Sequence, residues 1–298
     1  MSRNLLLIGA GGAVGPWLAR AVLDAGWKVI GISRRPTADY GTGYRHLVAD
    51  ARDLSTYVAA LESCDAIIYN AAHIPENFSD PREAGLCLRV NAESPLAILN
   101  MLAGQPRPFV YISSAQGYQS MDQPVNEDAA VFPSGHAAYY LASKLLGDLY
   151  AEHHRLMHHV PSAVLRLGSI YGPSMRRGMI AHFIEQAATA RPIVLKNGGR
   201  HRADLTYLGD VGAAAVAVLQ REAQGIFNIG SGCTTSALDA ARQICAASDR
   251  SDALLQVEAP QEPVTGFAAL DVSRACRELG FVPTLPSHGL PLTVRQWG

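Results

Sequence analysis

The sequence predicts an α/β protein built on a doubly wound parallel sheet, with a smaller domain toward the C-terminus. Three observations carry this. Short β-rich apolar runs alternate with helical patterns through the first half of the chain. Such alternation gives parallel strands covered on both faces. A glycine-rich turn joins the first run to the first helical pattern, and beyond Pro173 the alternation weakens.

The elements follow in order. NLLLIGA, from Asn4, reads as a buried strand. PWLARAVLDAGW, from Pro16, has apolar residues at helical spacing, with Gly26 as its stop signal. KVIGIS, YRHLVAD, DAIIYNAA, PFVYISSA and SAVLRLGSIYG supply the second to sixth strands, with helical segments between most of them. ADLTYL and GIFNIGS read as two further strands. LDVSRACRELGF is a helix ahead of a proline-rich end. No internal repeat or low-complexity linker interrupts the chain. We expect one domain from residues 1–171 with 203–232, and a smaller one from 172–202 with 233–298.

The bulk numbers exclude several classes. The chain has 298 residues, 48% of them apolar and 17% charged, which suits a soluble globular protein. A net charge of −1 gives no global case for nucleic acid or an anionic membrane. The apolar run near the N-terminus is too short for a signal-peptide core, and no stretch is long enough to span a bilayer. The five cysteines are scattered, without a Cys-x-x-Cys pair, so a reduced cytoplasmic setting is expected.

IGAGGAVGPW spaces Gly9, Gly12 and Gly15 three apart between the first strand and first helix. Glycines there allow a tight turn and close backbone approach to a pyrophosphate, which meets the free N–H groups of Ala13, Val14 and the helix start. In the first strand–loop–helix of such a chain this predicts a Rossmann-type dinucleotide site. AAYYLASK raises a second question. Tyr140 and Lys144, four apart, share a helix face, whereas Tyr139 and Lys144 point apart by roughly 140°. Spacing alone favours a structural reading of such a pair.

Further landmarks change that balance. The glycine spacing, the NAA triplet Asn70–Ala71–Ala72, Asn91 in RVNAES, the serines of YISSAQGY, LRLGSIYGP, FNIGSG and LDVSRACRELGFVPT fall in one order along the chain. Together they resemble the extended short-chain dehydrogenase/reductases, the NAD-dependent epimerase/dehydratase family, over nearly the whole chain. The resemblance implies that Tyr140 is the acid/base, Lys144 lowers its pKa and holds the nicotinamide ribose, and Ser114 orients the substrate oxygen. Ser113 is the weaker candidate of the serine pair, and Tyr139 is expected to pack. Asn70, Ala71, Ala72 and Asn91 are implied to line the cofactor. So are Asp50 and Ala51, with Asp50 beside the adenine. The family's dimers pair the helices after the fourth and fifth strands, so a homodimer is expected.

The position of the ribose-binding acid, 18 residues beyond Gly15, holds Ser33, followed by Arg34 and Arg35. A 2′-phosphate would be repelled by an acid and bound by arginine, and Ser33 can donate to it. NADP(H) is therefore expected over NAD(H).

Three departures from the family pattern bear on the substrate. The acid that dehydratases carry after the strand-five serines is replaced by Gln116, with no acid until Asp122. The family's substrate-holding asparagine is Ser169. The arginine expected seven before Asp210 is Ala203, with Arg202 one position off. Gln116, Ser169 and Arg202 are the substrate-site candidates, and Arg176 and Arg177 are possible substitutes for the missing cation. Thinned cations favour a substrate other than a nucleotide sugar. The leading expectation is an NADP-dependent ketone reductase or alcohol dehydrogenase. An epimerase of a sugar or nucleotide sugar comes second, and a non-catalytic NADP-sensing regulator third. The histidines of EHHRLMHH, from His153 to His159, are expected to be a solvated helix end rather than a metal site.

Overall fold

The run of Leu and Ile after Asn4 forms β1 (Asn4–Ile8), which is fully buried from Leu5 onward. A strand buried on both faces belongs at the centre of a parallel sheet. The computed structural model describes residues 3–78, 80–119, 123–133 and 135–297 and places β1 there. The chain continues through β2 (Lys28–Ser33), β3 (Tyr44–Val48), β4 (Ala66–Tyr69), β5 (Phe109–Ser114) and β6 (Ser162–Leu167). Next come β7 (Ser169–Tyr171), β8 (Ile193–Leu195), β9 (Arg202–Tyr207), β10 (Gly225–Ile229), β11 (Thr234–Ser236) and β12 (Leu255–Val257).

Seven of these strands form one parallel sheet in the order β10-β6-β5-β4-β1-β2-β3. The chain builds outward from β1 to β3, then returns to lay β4 on the other side of β1. The crevice beyond the carboxyl ends of β1 and β4 is thus the switch point where such sheets bind ligands.

The helices are α1 (Gly15–Asp24), α2 (Val58–Glu62), α3 (Glu83–Leu88), α4 (Ser94–Leu102) and α5 (Ala138–Met157), then α6 (Met179–Ala188), α7 (Leu208–Arg221), α8 (Ala237–Ala247), α9 (Ser273–Leu279) and α10 (Pro286–Arg295). α1, α7 and α9 cover one face of the sheet, and α2, α4 and α5 cover the other. The small-residue run in α7 packs on α1, where a β-carbon on Gly212 would lie 2.9 Å from the carbonyl oxygen of Trp17. No helix among the described residues is long and apolar enough to cross a membrane.

Two expectations need correction. The sixth predicted strand is broken at Gly168, where a β-carbon would meet the carbonyl oxygen of Asp204 at 2.7 Å. Beyond that glycine the chain leaves the main sheet, and β7 joins a separate three-stranded sheet in which β9 lies between β7 and β11. Residues 169–171 and 203–207 therefore pair outside the seven-stranded sheet, although the sequence groups them with it. That second sheet shares a core with α6, α8 and α10. The proline-rich end carries α10, with Pro286 in its first turn.

Candidate active site

Each glycine of the loop has its own task. Gly9 has φ +93°, and a β-carbon there would lie 2.4 Å from the backbone nitrogen of Ala71. A β-carbon on Gly15 would lie 2.1 Å from the carbonyl oxygen of Ala10, so glycine lets α1 rest on the end of β1. A β-carbon on Gly12 would meet nothing among the described residues closer than the Gly9 carbonyl oxygen at 3.5 Å, and Gly11, Gly12 and Ala13 are exposed. Asn70 Nδ2 holds the loop from β4 by donating to Gly9 O at 2.9 Å. The N-cap of α1, Val14, supplies no side-chain acceptor, and Pro16 stands in the first turn. The open cradle and uncapped helix start fit a pyrophosphate.

At the end of β2, Ser33 lies against Gly11. Its hydroxyl donates to the Arg35 carbonyl at 2.7 Å, a local serine turn, rather than standing free to donate to a phosphate as expected. His46 Nε2 lies 3.3 Å from the same oxygen. Because Ser33 has spent its proton, Nε2 is the donor, and Nδ1 accepts from one of the hydroxyls of Tyr44 and Thr37, which lie 3.0 and 3.1 Å from it and 2.8 Å from each other. Arg34 and Arg35 are exposed beside this cluster. Asp50 is held in a bidentate pair by Arg52, with Nη2 to Oδ2 at 2.7 Å, and this hydrogen bonding keeps its carboxyl below the ordinary range. The carbonyl of Ala51 accepts from Tyr57.

Ala71 and Ala72 lead to His73, whose N–H donates to Asn91 Oδ1 at 2.8 Å while Asn91 Nδ2 donates back to its carbonyl. Asn91 is fully buried in a π-helical turn, Arg89–Glu93, that joins α3 to α4. A π turn frees backbone carbonyls. Here those of Arg89, Val90 and Asn91 accept from Ser94, Tyr69 and Tyr111 at 2.6–2.8 Å. Asn91 Nδ2 also donates to Ser143, which donates to the Tyr140 carbonyl. The β4 exit is thereby fixed to α5.

α5 carries Tyr140 and Lys144 on one face, as their spacing predicts. Tyr140 is half-buried, with Phe78 edge-on at 6.4 Å between ring centroids. Lys144 is buried, its Nζ donating to Ile112 O at 2.5 Å and lying 4.2 Å from the centre of the Tyr111 ring. Burial pushes Tyr140 up to about 12 and pulls Lys144 down to about 7. Ser114 ends β5 and accepts from Gln116 N, while Ser113 points into the protein and is 5% exposed. Tyr139, expected to pack, is 40% exposed.

Gln116 and Ser169 line one cleft, with Tyr118, Gly168, Asp204 and Phe267. Arg202 is not among its lining residues. Side chains alternate along a strand. Ala203 faces the core beneath the second sheet, while the Arg202 side chain is exposed. Arg176 lies over the ring of Trp297 at 4.3 Å, and Arg177 pairs with Glu76 at 3.4 Å on the surface. Asp122 lies outside the described residues. In the histidine segment, His154 is buried, not solvated. Its ring nitrogens meet Tyr150 O at 2.8 Å and Asn100 Oδ1 at 3.0 Å, which explains the burial without a metal.

The sequence profile described as the NAD dependent epimerase/dehydratase family matches residues 5–230. The chain belongs to that family. Among curated relatives, a dTDP-L-rhamnose 4-epimerase of Burkholderia thailandensis is 33% identical over 159 residues, 48% of this chain and 41% of that protein. A UDP-glucose 4-epimerase of Mycolicibacterium smegmatis is 25% identical over 97% of this chain and 96% of its own. A dTDP-glucose 4,6-dehydratase of Streptomyces griseus is 25% identical over 99% and 94%. Among solved structures, an epimerase of Methanothermobacter thermautotrophicus superposes with a TM-score of 0.85 at 24% identity, covering 99% of this chain and 92% of that one. A UDP-glucuronic acid 4-epimerase of Bacillus cereus, solved with UDP-glucuronic acid and NAD, superposes at 0.82 and 23%, covering 98% of each. These two likenesses concern the fold.

The family is NAD(P)-binding, and in this chain the glycine loop packs against Ser33 of β2 and Ala71 beyond β4, while Lys144 lies over Tyr111 of β5. Sequence reasoning missed three features. The Ser33–His46 contact joins residues on two strands, and no local pattern announces it. The capture of the π turn by Tyr69 and Tyr111 is equally non-local. The third is Gly147, which looks like an ordinary helix residue. A β-carbon on it would fall 2.3 Å from the Tyr111 ring, so glycine is what lets α5 sit this low on β5.

Proposed function

We propose that the chain is an NAD(P)-dependent epimerase acting on a secondary alcohol of a sugar or nucleotide sugar. The observation that carries this is the Tyr140–Lys144 face of α5, set beside the end of β5 that carries Ser114. The near-full-length relatives named as epimerases support epimerisation over net reduction. The relative named as a dehydratase points elsewhere, but where the family resemblance places an acid after the strand-five serines of dehydratases this chain has Gln116.

The bound dinucleotide would supply a reversible hydride acceptor. The loop from Gly9 to Gly15 and the start of α1 would hold its pyrophosphate, and Ser33, Arg34, Arg35 and Asp50 its adenosine end. Tyr140 removes the proton from the sugar hydroxyl and returns it to the ketone oxygen once the ring has turned over. Lys144, as an ammonium one turn away, stabilises the phenolate. Ser114 donates to the substrate oxygen and fixes it against Tyr140. Gln116 and Ser169 line the part of the cleft that takes the sugar. Assay of a nucleotide-sugar panel by proton NMR tests this. A new epimer without net change in the cofactor supports it, and stoichiometric consumption of NAD(P)H supports the second reading, a reductase.

The absence of a carboxylate at Ser33, with two arginines beside it, supports NADP(H) as the preferred cofactor. The Bacillus cereus UDP-glucuronic acid 4-epimerase was solved with NAD, and the Ser33 region is the feature that argues for a departure from it. The exposed apolar side chains Leu149, Leu156 and Met157 on α5 support a homodimer formed through that helix.

A further inference from the structure

The motifs account for Tyr140 and Lys144 but not for the charges beneath them. Asp148 stands one turn beyond Lys144 on the same face of α5. Both are 3% exposed. Asp148 Oδ2 accepts from Nε of Arg166 on β6 at 2.9 Å, and both side chains are buried. Arg166 is fixed in turn. Its Nη1 donates to the Tyr118 hydroxyl at 2.9 Å and to Glu127 O at 3.2 Å, and Tyr118 donates to Asn228 Oδ1. Ser113 is the cross-strand partner of Arg166. Its hydroxyl faces the Asp148 carboxylate, which burial pushes up while Arg166 and Ser113 hold it down, and among the described residues neither Ser113 Oγ nor Asp148 Oδ1 has a partner in full hydrogen-bond geometry.

A buried ion pair is a poor source of stability, and a buried carboxylate oxygen left unpaired is a cost. The charge has a use nearby. Lys144 is desolvated, and its close contacts, the Ile112 carbonyl and the Tyr111 ring, carry no formal charge. The other groups facing the pair are Tyr140 on α5, Cys87 of α3 beside it, and Tyr118 and Glu127 from the segment after β5. Among the described residues, Asp148 is the anion whose field acts on Lys144.

We propose that Asp148, anchored by Arg166, favours the charged form of Lys144 against the desolvation of this dry site and is a positioning residue of the reaction. This rests on the role given to Lys144 above, but its test does not require turnover. The chain has three lysines, Lys28, Lys144 and Lys196. Protein labelled with ¹³C at the lysine ε-carbons therefore gives three resolvable signals, and Lys144→Arg assigns the one that matters.

Burial lowers Lys144 to about 7, and Asp148 opposes that shift. Asp148→Asn removes the opposing charge, so Lys144 should lose its proton at a pH lower by about one unit. The same titration midpoint in Asp148→Asn and wild type overturns the proposal. Asp148→Asn leaves Arg166 buried and unpaired, which can cost the fold. The double variant Asp148→Asn/Arg166→Met then carries the test. A midpoint below wild type supports the proposal, and an unmoved midpoint overturns it. If the midpoint moves as expected while Lys144→Met keeps full activity, the electrostatic inference stands and the proposed function fails. If Lys144→Met is inactive and the midpoint stays, the reverse holds.

Discussion

Gly147 of α5 packs directly on the ring of Tyr111 of β5, at a distance that leaves no room for a methyl group. This contact sets the depth of α5 on the sheet. Lys144 and Asp148, one residue or one turn away, owe their positions over Tyr111 and beside Arg166 to it. Gly147→Ala should overpack the contact and lower stability by about 1–3 kcal/mol. Turnover should fall more than substrate affinity, because Lys144 is lifted. Thermal melting and a separation of kcat from KM check both parts.

Lys144 is buried at a cost. Its folded-state pKa, about 7, lies below the unfolded value of about 10.4. Folding therefore disfavours the ammonium, and the penalty grows as pH falls from the unfolded value through the folded one. Lys144→Met should raise the melting temperature at neutral pH and abolish turnover. The gain should shrink as pH rises toward 10 and vanish above it. A melting temperature that drops at neutral pH would contradict this sign.

Asn91 ties three segments together through His73, Ser143 and the π turn. Asn91→Ala strands the partly buried His73 N–H and removes the donor to the His73 carbonyl and the Ser143 hydroxyl, at about 1–3 kcal/mol. Denaturant unfolding should show that loss. Hydrogen exchange should show the β4 exit and the first turns of α5 loosening together.

The cofactor reading turns on a small patch. Ser33→Asp should reverse a preference for NADP(H) by placing a carboxylate where the 2′-phosphate would sit. Arg34→Ala should weaken NADP(H) by about tenfold and leave NAD(H) nearly unchanged. Dissociation constants for both dinucleotides measure this. Equal binding of NADP(H) by wild type and Arg34→Ala would remove the argument.

Much of the fold was legible because its signals are local. Buried parallel strands such as Leu5–Ile8 read as continuous apolar runs, and Gly9, Gly12 and Gly15 punctuate the first turn. The break at Gly168 was not legible, since it depends on the distant Asp204 carbonyl. Nor was the destination of β9, because partner choice is a property of the whole sheet. At the candidate site, Tyr140 and Lys144 could be paired by helical spacing. Ser33 could be placed by counting, yet its hydroxyl turned to Arg35 because a serine near a turn competes for its own backbone. Asp148 was hidden by looking like an ordinary acid on an amphipathic helix. Its meaning comes from Arg166 on another element.

The central claim is that hydride would leave the sugar for the dinucleotide and return to the same sugar, while Tyr140 takes up and gives back the hydroxyl proton. The most direct measurement uses a nucleotide sugar that the panel shows to be turned over, deuterated at the reacting carbon and incubated with enzyme and a trace of dinucleotide. Epimer that keeps its deuterium at that carbon, formed with no net NAD(P)H, and lost in Tyr140→Phe while dinucleotide binding persists, is the predicted result. Deuterium appearing in a stoichiometric pool of free reduced cofactor, or full activity in Tyr140→Phe, would contradict it.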